Sequence, residues 1–380
     1  MKKKLLLGTT ALIAAGVVAG GVAQAAEEPI TAGVSGYFRS AMGMISQDDD
    51  TGEFADNTQS HTLGNDLEII ISGSTKLDNG ITAGFQANIE GNAAGDGSES
   101  LDERFVYFKG GFGQIRIGQV ESARQSMTSF APSGNYNFGV NSPFFIFANP
   151  GNAAGLFNVR TYNDGLGNED SLKLIYYTPI FNGFRVGASY SPEDGMNGQY
   201  GGNAGDVAGG LQNNASASAE YSNNFGDVGL GLMIGWEGYV VENCGATANL
   251  QACDNSPDSM QFGGKISFGE FSIGGGYLES DQVANNAAGS GRDREDWDIG
   301  IAWWSGPFGV GLQYGNAELD IVADNTTDEL KIYELNATYV LGPGIDVGAA
   351  VAIGDYDDAT AGVNLDNEYT EFKMSAALNF

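Results

Sequence analysis

Residues that commonly carry enzyme chemistry are sparse in this chain. His61 is the only histidine, and it lies between Ser60 and Thr62. A serine beside a histidine suggests hydrolysis, because a nucleophilic hydroxyl needs a neighbouring base. A catalytic site also needs further groups in defined roles, and no such set is evident in the sequence. We therefore predict that the protein is not an enzyme and that His61 is a solvated loop residue.

The only two cysteines, Cys244 and Cys253, fall in one predicted loop. A metal site would need more ligands than two thiols without a histidine. In an exported protein, where disulfides persist, we expect the two cysteines to form a disulfide. The ring that it closes is small, so the bond would stabilise the loop by no more than about 3 kcal/mol.

Two acidic groups, Asp48 to Asp50 and the trio Asp355, Asp357 and Asp358, also fall in predicted loops. Carboxylate oxygens suit Ca²⁺ or Mg²⁺, although neither spacing fits an EF-hand. These loops are either simply solvated or bridged through divalent cations to lipopolysaccharide. We expect no other cofactor.

The first residues have the features of a secretory signal peptide. Three lysines, Lys2 to Lys4, precede an apolar run from Leu5 to about Ala23, which ends in Ala23-Gln24-Ala25. A basic head, an apolar middle and a small-residue cleavage site are typical of such a peptide. We predict cleavage after Ala25, with an uncleaved membrane anchor as the alternative. The sequence from 26 to 380 shows no linker or break in composition, so we predict that it is one domain.

The net charge is strongly negative, with 48 acidic against 17 basic residues and a formal charge of −31. Losing the three lysines of the signal peptide would take the charge to −34. Such a chain has no means of binding nucleic acid by releasing the counterions of phosphates. Because 42% of its residues are hydrophobic, the sequence nonetheless indicates a folded protein.

These residues must be positioned by strands, because alternation of polar and apolar residues recurs along the whole chain. Val34, Phe38 and Met42 alternate with Ser35 and Arg39, for example. Alternation over about ten residues is what a tilted membrane-crossing strand requires. We predict about sixteen strands, near 34–42, 67–75, 81–90, 102–109, 114–119, 169–178, 184–191, 215–222, 228–240, 259–268, 271–279, 294–304, 308–315, 329–340, 345–354 and 368–380.

The predicted connections alternate between short turns and long loops, as they do in outer-membrane barrels. No apolar run after Ala25 approaches the roughly eighteen residues of a spanning helix. A closed barrel is then the remaining way to cross a bilayer, because an open sheet edge leaves backbone groups unpaired in lipid. A soluble β-sandwich is the alternative. Aromatic residues near strand ends, such as Trp303-Trp304 and Tyr339, favour the membrane barrel.

A barrel of about sixteen strands encloses a water-filled channel. Loops as long as the connection at 120–168 are usually functional or disordered, and its aromatic segment Phe144 to Phe147 argues against disorder. We expect this third loop to fold inward and narrow the pore. The chain holds 58 glycines, and we expect those within strands to face a crowded or curved interior.

Three segments of the chain are specific enough to compare with known families. They are the strand, Gly-Phe-Gly turn and strand from Arg104 to Gln119, the hairpin from Leu174 to Tyr190, and the last strand from Lys373 to Phe380. These segments resemble Gram-negative general-diffusion porins, particularly the α-proteobacterial type. The resemblance implies a sixteen-stranded homotrimer in the bacterial outer membrane, in contact with lipid and lipopolysaccharide. It also implies passive uptake of small hydrophilic solutes, and a terminal Phe380 that the barrel-assembly machinery reads.

The same resemblance implies an eyelet where basic wall residues face acids on the inward loop. By strand parity, the wall candidates are Arg39, Lys76, Arg116 and Arg104, of which Arg104 fits either face. On the loop, Glu121 is acidic and Arg124 is basic, and the acids of the family pattern are displaced toward Asp164, Glu169 and Asp170.

From the negative charge we predict a mild preference for cations, because narrow clefts concentrate counterions. The alternatives are a substrate-selective channel, for which the segment Phe144 to Phe147 is the main support, and a structural or adhesive barrel that acts through its outer loops.

Overall fold

The computed structural model describes residues 29–48, 59–91, 101–142, 146–148, 156, 158–162, 170–193, 211–241, 257–282, 292–321, 326–357, 359 and 366–380. Within them, sixteen antiparallel strands pair in sequence order, and the first pairs with the last to close a barrel. The predicted fold class, an all-β transmembrane antiparallel barrel, is confirmed. The described residues contain no helix long and apolar enough to cross a membrane.

The strands are β1 Thr31–Gln47, β2 His61–Lys76, β3 Thr82–Glu90, β4 Arg104–Gly110, β5 Gly113–Gln119, β6 Leu172–Tyr177, β7 Phe184–Glu193, β8 Leu211–Phe225, β9 Val228–Val241, β10 Asp258–Phe268, β11 Phe271–Gln282, β12 Arg292–Ser305, β13 Phe308–Ile321, β14 Thr326–Gly342, β15 Ile345–Asp357 and β16 Asn367–Asn379.

Side chains alternate between the two faces of the wall, most regularly in β16. Glu371, Lys373 and Ser375 are buried inside the barrel, whereas Met374 and Leu378 are exposed on its outer face. Apolar residues outside and polar residues inside are what a barrel in lipid requires, because lipid replaces the apolar core of a soluble sheet. The period-two pattern is therefore the direct cause of the fold.

Several strands run further than the sequence predicted. β13 continues beyond the predicted end at 315 to Ile321, through the outward-facing Glu318 and Asp320. Hydropathy alternation marks only the lipid-facing part of a strand, whereas the hydrogen-bond ladder continues past it. For the same reason Asp355 and Asp357 belong to β15, and His61 is the exposed first residue of β2, so their assignment to loops was wrong.

Short turns join the strands at one end of the barrel. Gly80, in the predicted Asn79-Gly80 corner, has a φ of 82°, which a residue with a side chain rarely adopts. The barrel seam closes at the same end, where Gly36 and Phe380 exchange two backbone hydrogen bonds of 2.9 Å. Phe380 thus completes the pairing of β16 with β1.

We call the connection between β5 and β6 the inward loop, and its described residues lie inside the barrel, as predicted. It starts over β4 to β7, where Val120, Ala123 and Met127 pack with Ile175 and Tyr177. Its later part forms a second apolar cluster against β13 to β16 and Ile45 of β1, of which Val140, Ala148, Leu156 and Val159 are the loop members. The apolar core therefore lies between this loop and the wall.

Candidate pore constriction

Asp298 of β12 is the central anchor of the inward loop. Its carboxylate accepts hydrogen bonds from the backbone N–H of Ala131 at 2.8 Å and from the Asn141 amide at 2.8 Å. It also accepts from the Thr161 hydroxyl and, at 2.7 Å, from the N–H of Gly276 in β11. One buried wall carboxylate thereby holds the outgoing and the returning segments of the loop together.

Arg124 forms a second anchor near the start of the loop. Its Nε lies 3.0 Å from Oε2 of Glu237 in β9, and its Nη1 donates to Gln261 of β10 at 3.0 Å. Glu237 also accepts from Ser122 at 2.7 Å and from Asn214 at 2.8 Å. Arg124 is completely buried. It therefore fixes the loop to the wall and presents no charge to the lumen.

The far end of the loop is held by β16. Glu371 accepts the backbone N–H groups of Ala148 and, at 2.8 Å, of Phe147. The ammonium group of Lys373 lies 2.8 Å from Glu334 and 3.4 Å from Glu371, and 5.3 Å from the ring centroid of Phe138. These contacts extend the anchored surface from β9 around to β16.

Inward-facing glycines make room for the loop. A Cβ atom added to Gly263 of β10 would lie 2.1 Å from the carbonyl oxygen of Ser129. One added to Gly311 of β13 would lie 2.3 Å from the backbone nitrogen of Gly134. The prediction that strand glycines face a crowded interior is confirmed at these positions. We call the glycine-bearing inner face of β9 to β16 the covered wall.

The inner face of β2 and β3 is different, and we call it the open wall. None of the three buried apolar clusters among the described residues joins the loop to these two strands. Arg39 of neighbouring β1 reaches Asp66 of β2 with an Nη2 to Oδ2 distance of 2.9 Å, and its guanidinium carbon lies 3.8 Å from the ring centroid of Tyr37. The wall candidate Arg39 therefore faces the lumen beside a carboxylate.

Arg116 of β5 also points inward. Its guanidinium carbon lies 5.0 Å from the ring centroid of Phe105 and 5.1 Å from that of Tyr177. A guanidinium over aromatic faces is attracted by their quadrupoles. These rings therefore hold the charge of Arg116 close to the point where the loop leaves the wall.

Carboxylates are concentrated on and beside the open wall. Glu68 of β2 is paired directly with Glu90 of β3. Just before β4, Glu103 accepts from the Asn88 amide at 2.9 Å and from the backbone N–H of Glu121 at 3.4 Å. Burial and the neighbouring Glu121 carboxylate raise the pKa of Glu103 to about 7. Burial, followed by the charge of Asp102, also raises the pKa of Glu121.

The other predicted wall residues lie away from this cluster. Lys76 is the last residue of β2, at the short-turn end, and is exposed. Arg104 has the strand parity of Val106 and Phe108, which are exposed on the outer face. Asp170 is half-buried where the loop rejoins the wall.

Several sequence predictions lie outside the described residues: the signal peptide at 1–25, Phe144 and Phe145 of the aromatic segment, Cys244, Cys253, Asp49, Asp50, Asp164, Glu169 and Asp358. In the part of the chain that is described, no group of three or more histidine, cysteine or acidic side chains is placed to hold a metal ion.

The acids of the open wall were missed at the sequence level. The family pattern places basic residues on the wall and acids on the loop, so it predicts no acidic wall residue at the eyelet. Asp66 and Glu68 share the parity of Lys76, so strand parity would have placed them in the lumen.

A family model described as Gram-negative porin matches residues 8–359. The chain belongs to this family and forms a channel in the outer membrane, and it is not an enzyme. No curated protein sequence matches it.

Solved structures agree on the fold. An anion-selective porin from Comamonas acidovorans is 16% identical with a TM-score of 0.61, and the match covers 93% of this chain and 100% of that one. The trimer form of OmpT from Vibrio cholerae is 14% identical, with a TM-score of 0.61 and the same coverage. The outer membrane channel DcaP of Acinetobacter baumannii is 13% identical with a TM-score of 0.62, and the match covers 96% of this chain and 100% of that one.

Proposed function

We propose that the protein is a passive porin for small hydrophilic solutes and ions, with a mild preference for cations. The observation that supports this most is the charge of the open wall and its margin. Asp66, Glu68, Glu90 and Glu103 contribute carboxylates there, against the two inward guanidinium groups of Arg39 and Arg116. A surplus of one sign in a narrow cleft raises the local concentration of the opposite ion.

The anion selectivity named for the Comamonas porin is a property of that protein. At a sequence identity of 16%, the charged residues of this pore cannot be inferred from those of the Comamonas porin. Selectivity in a barrel depends on lumen side chains, which can change while the fold is kept. The residues of this lumen are therefore the basis for the proposed cation preference.

The assembly that fits this function is a homotrimer in the outer membrane. Its support is the family resemblance together with the trimeric form of the structurally similar OmpT. Export by a signal peptide cleaved after Ala25, and assembly through the last strand, belong to the same proposal. Mass spectrometry of the protein isolated from membranes would give both the mature N-terminus and the subunit number.

Reconstitution in planar bilayers tests the function directly. We expect stable ohmic current steps and, in a KCl gradient, a reversal potential of the sign given by K⁺ permeation. The double variant Glu68→Gln/Glu90→Gln removes two lumen carboxylates with little change in size, and should shift the reversal potential toward chloride. Lack of ohmic steps would exclude a passive pore, and chloride preference in the unmodified protein would exclude the proposed selectivity.

A further inference from the structure

A cavity of about 790 Å³ lies inside the barrel between the inward loop and β10 to β12. Lys265, Ser272 and Trp304 form its wall side, and all three lie toward the short-turn ends of their strands. Short turns are periplasmic in outer-membrane barrels. The wall side of the cavity therefore lies toward the periplasmic end of the barrel. Its volume is within the range of small-molecule sites, about 300–1,000 Å³.

Two aromatic rings of the loop are exposed at this cavity. Tyr136 is 57% exposed and Phe130 is 42% exposed, although both lie inside the barrel. Tyr136 is held against Trp304, with ring centroids 4.8 Å apart, and the Trp304 indole N–H donates to the carbonyl of Ser133 at 3.1 Å. Tyr136 is thus supported by the wall, and both rings retain exposed surface at the cavity.

Polar groups surround these rings. The cavity lining includes Gln125, Thr128, Ser129, Asn135 and Ser142. The Asn135 amide already bonds to Ala337, Asn137 and Phe138. The lining also includes one cation and one anion, Lys265 and Glu121. The hydroxyl groups of Thr128 and Ser142 donate to backbone carbonyls, so toward the cavity their oxygens act as acceptors. With Ser129 and Gln125 they surround the aromatic rings without a surplus of either charge.

We propose that this cavity is a binding site for saccharides of one or two pyranose rings. A pyranose has an apolar face of C–H groups and a rim of hydroxyls, so it covers an aromatic ring while its rim hydrogen-bonds to serine, threonine and amide side chains. A charged solute of similar size would gain little from the rings. The inference rests on the proposed pore function, because the solute reaches the cavity through the channel.

Sugar-induced current noise in planar bilayers tests the proposal, with glucose and maltose as probes. In the unmodified protein we expect concentration-dependent interruptions of the ohmic current. The double variant Tyr136→Ala/Phe130→Ala should raise the half-blocking sugar concentration about tenfold or more. Tyr136→Phe keeps the ring and should stay within about twofold of the unmodified protein.

Tyr339→Ala is the matched control. It removes a tyrosine from the same end of the barrel but from the outer face, where Tyr339 packs against Phe308. Its sugar block should be unchanged.

The outcomes separate this inference from the pore itself. Ohmic steps with no sugar block, or with a block that the double variant leaves unchanged, would overturn the saccharide site and leave the passive pore intact. Lack of ohmic steps would overturn both. A ring-dependent block by phenol but not by the sugars would show a site for aromatic solutes and overturn the saccharide assignment.

Discussion

The covered wall and the open wall are built from the same alternating strands, yet they meet different partners. On the covered wall, buried acids such as Asp298 and Glu237 accept hydrogen bonds from the inward loop, and glycines such as Gly263 admit its backbone. On the open wall, Glu68 faces Glu90, and Arg39 lies beside Asp66. Inward polar residues are therefore anchors of the loop on one side of the lumen, and on the other side they are the charges to which we attribute the proposed ion selectivity.

Removing the central anchor should have the largest effect on the covered wall. Asp298→Ala leaves the donors of Ala131, Asn141 and Thr161 without their acceptor. Each buried unsatisfied group costs about 1–3 kcal/mol. We expect the loop to detach, with higher single-channel conductance and more current noise. Asp293→Ala, an exposed acid of the same strand, is the control, and equal conductance in both variants would contradict the anchor role.

The second-largest effect is expected from breaking the buried ion pair between Arg124 and Glu237. Arg124→Met leaves Glu237 as a buried charge without its guanidinium partner, which typically costs about 3–5 kcal/mol. Equilibrium unfolding in detergent with a denaturant measures the loss. Arg185→Met removes the partner of Glu220 from a pair whose side chains are 30% and 26% exposed, and should cost under about 1 kcal/mol. Similar losses for the two variants would show that burial of the pair is unimportant.

Substitution of two adjacent glycines, one on each face of β10, should have a smaller effect on stability. Gly263→Ala places a methyl group 2.1 Å from the backbone carbonyl oxygen of Ser129, so the loop or the strand must move. Overpacking of this kind typically costs about 1–3 kcal/mol. Gly264→Ala points to the outer face, where the nearest atom is the flexible side chain of Leu232 at 3.2 Å. We expect lower stability and altered conductance only for Gly263→Ala, and unfolding with conductance recordings of both would check this.

The fold was readable from the sequence because each strand carries its own period-two signal and each short turn its glycine. The inward course of the loop was readable from its length and aromatic content. Its path was not, because the contacts of Arg124 with Glu237, or of Asn141 with Asp298, join residues far apart in the chain. Lys76 shows the limit of parity, which gives the face of a residue but not its height along the barrel axis.

The smallest expected effect is a change of ion selectivity with pH, caused by an acid at the margin of the open wall. Burial and the Glu121 carboxylate raise the pKa of Glu103 to about 7. Between pH 8 and pH 6 this group therefore takes up a proton, the lumen loses negative charge, and the reversal potential in a KCl gradient should move toward zero. Glu103→Gln fixes the neutral form, so it should lower cation preference at pH 8 and flatten this part of the titration.

The free energy of unfolding should also depend on the ionisation of Glu103. The direction is opposite to that of a salt-bridged acid, whose ionised form stabilises the fold. The raised pKa means that the folded state prefers neutral Glu103, so ionisation destabilises the fold above pH 7, and the penalty disappears as the pH falls toward the ordinary carboxyl range near ~4.3. Glu103→Gln should therefore be more stable than the unmodified protein at pH 8 and about equal at pH 4. If the ion selectivity instead changes with a midpoint near pH 4, the Glu103 carboxyl group is solvated and its burial does not raise its pKa.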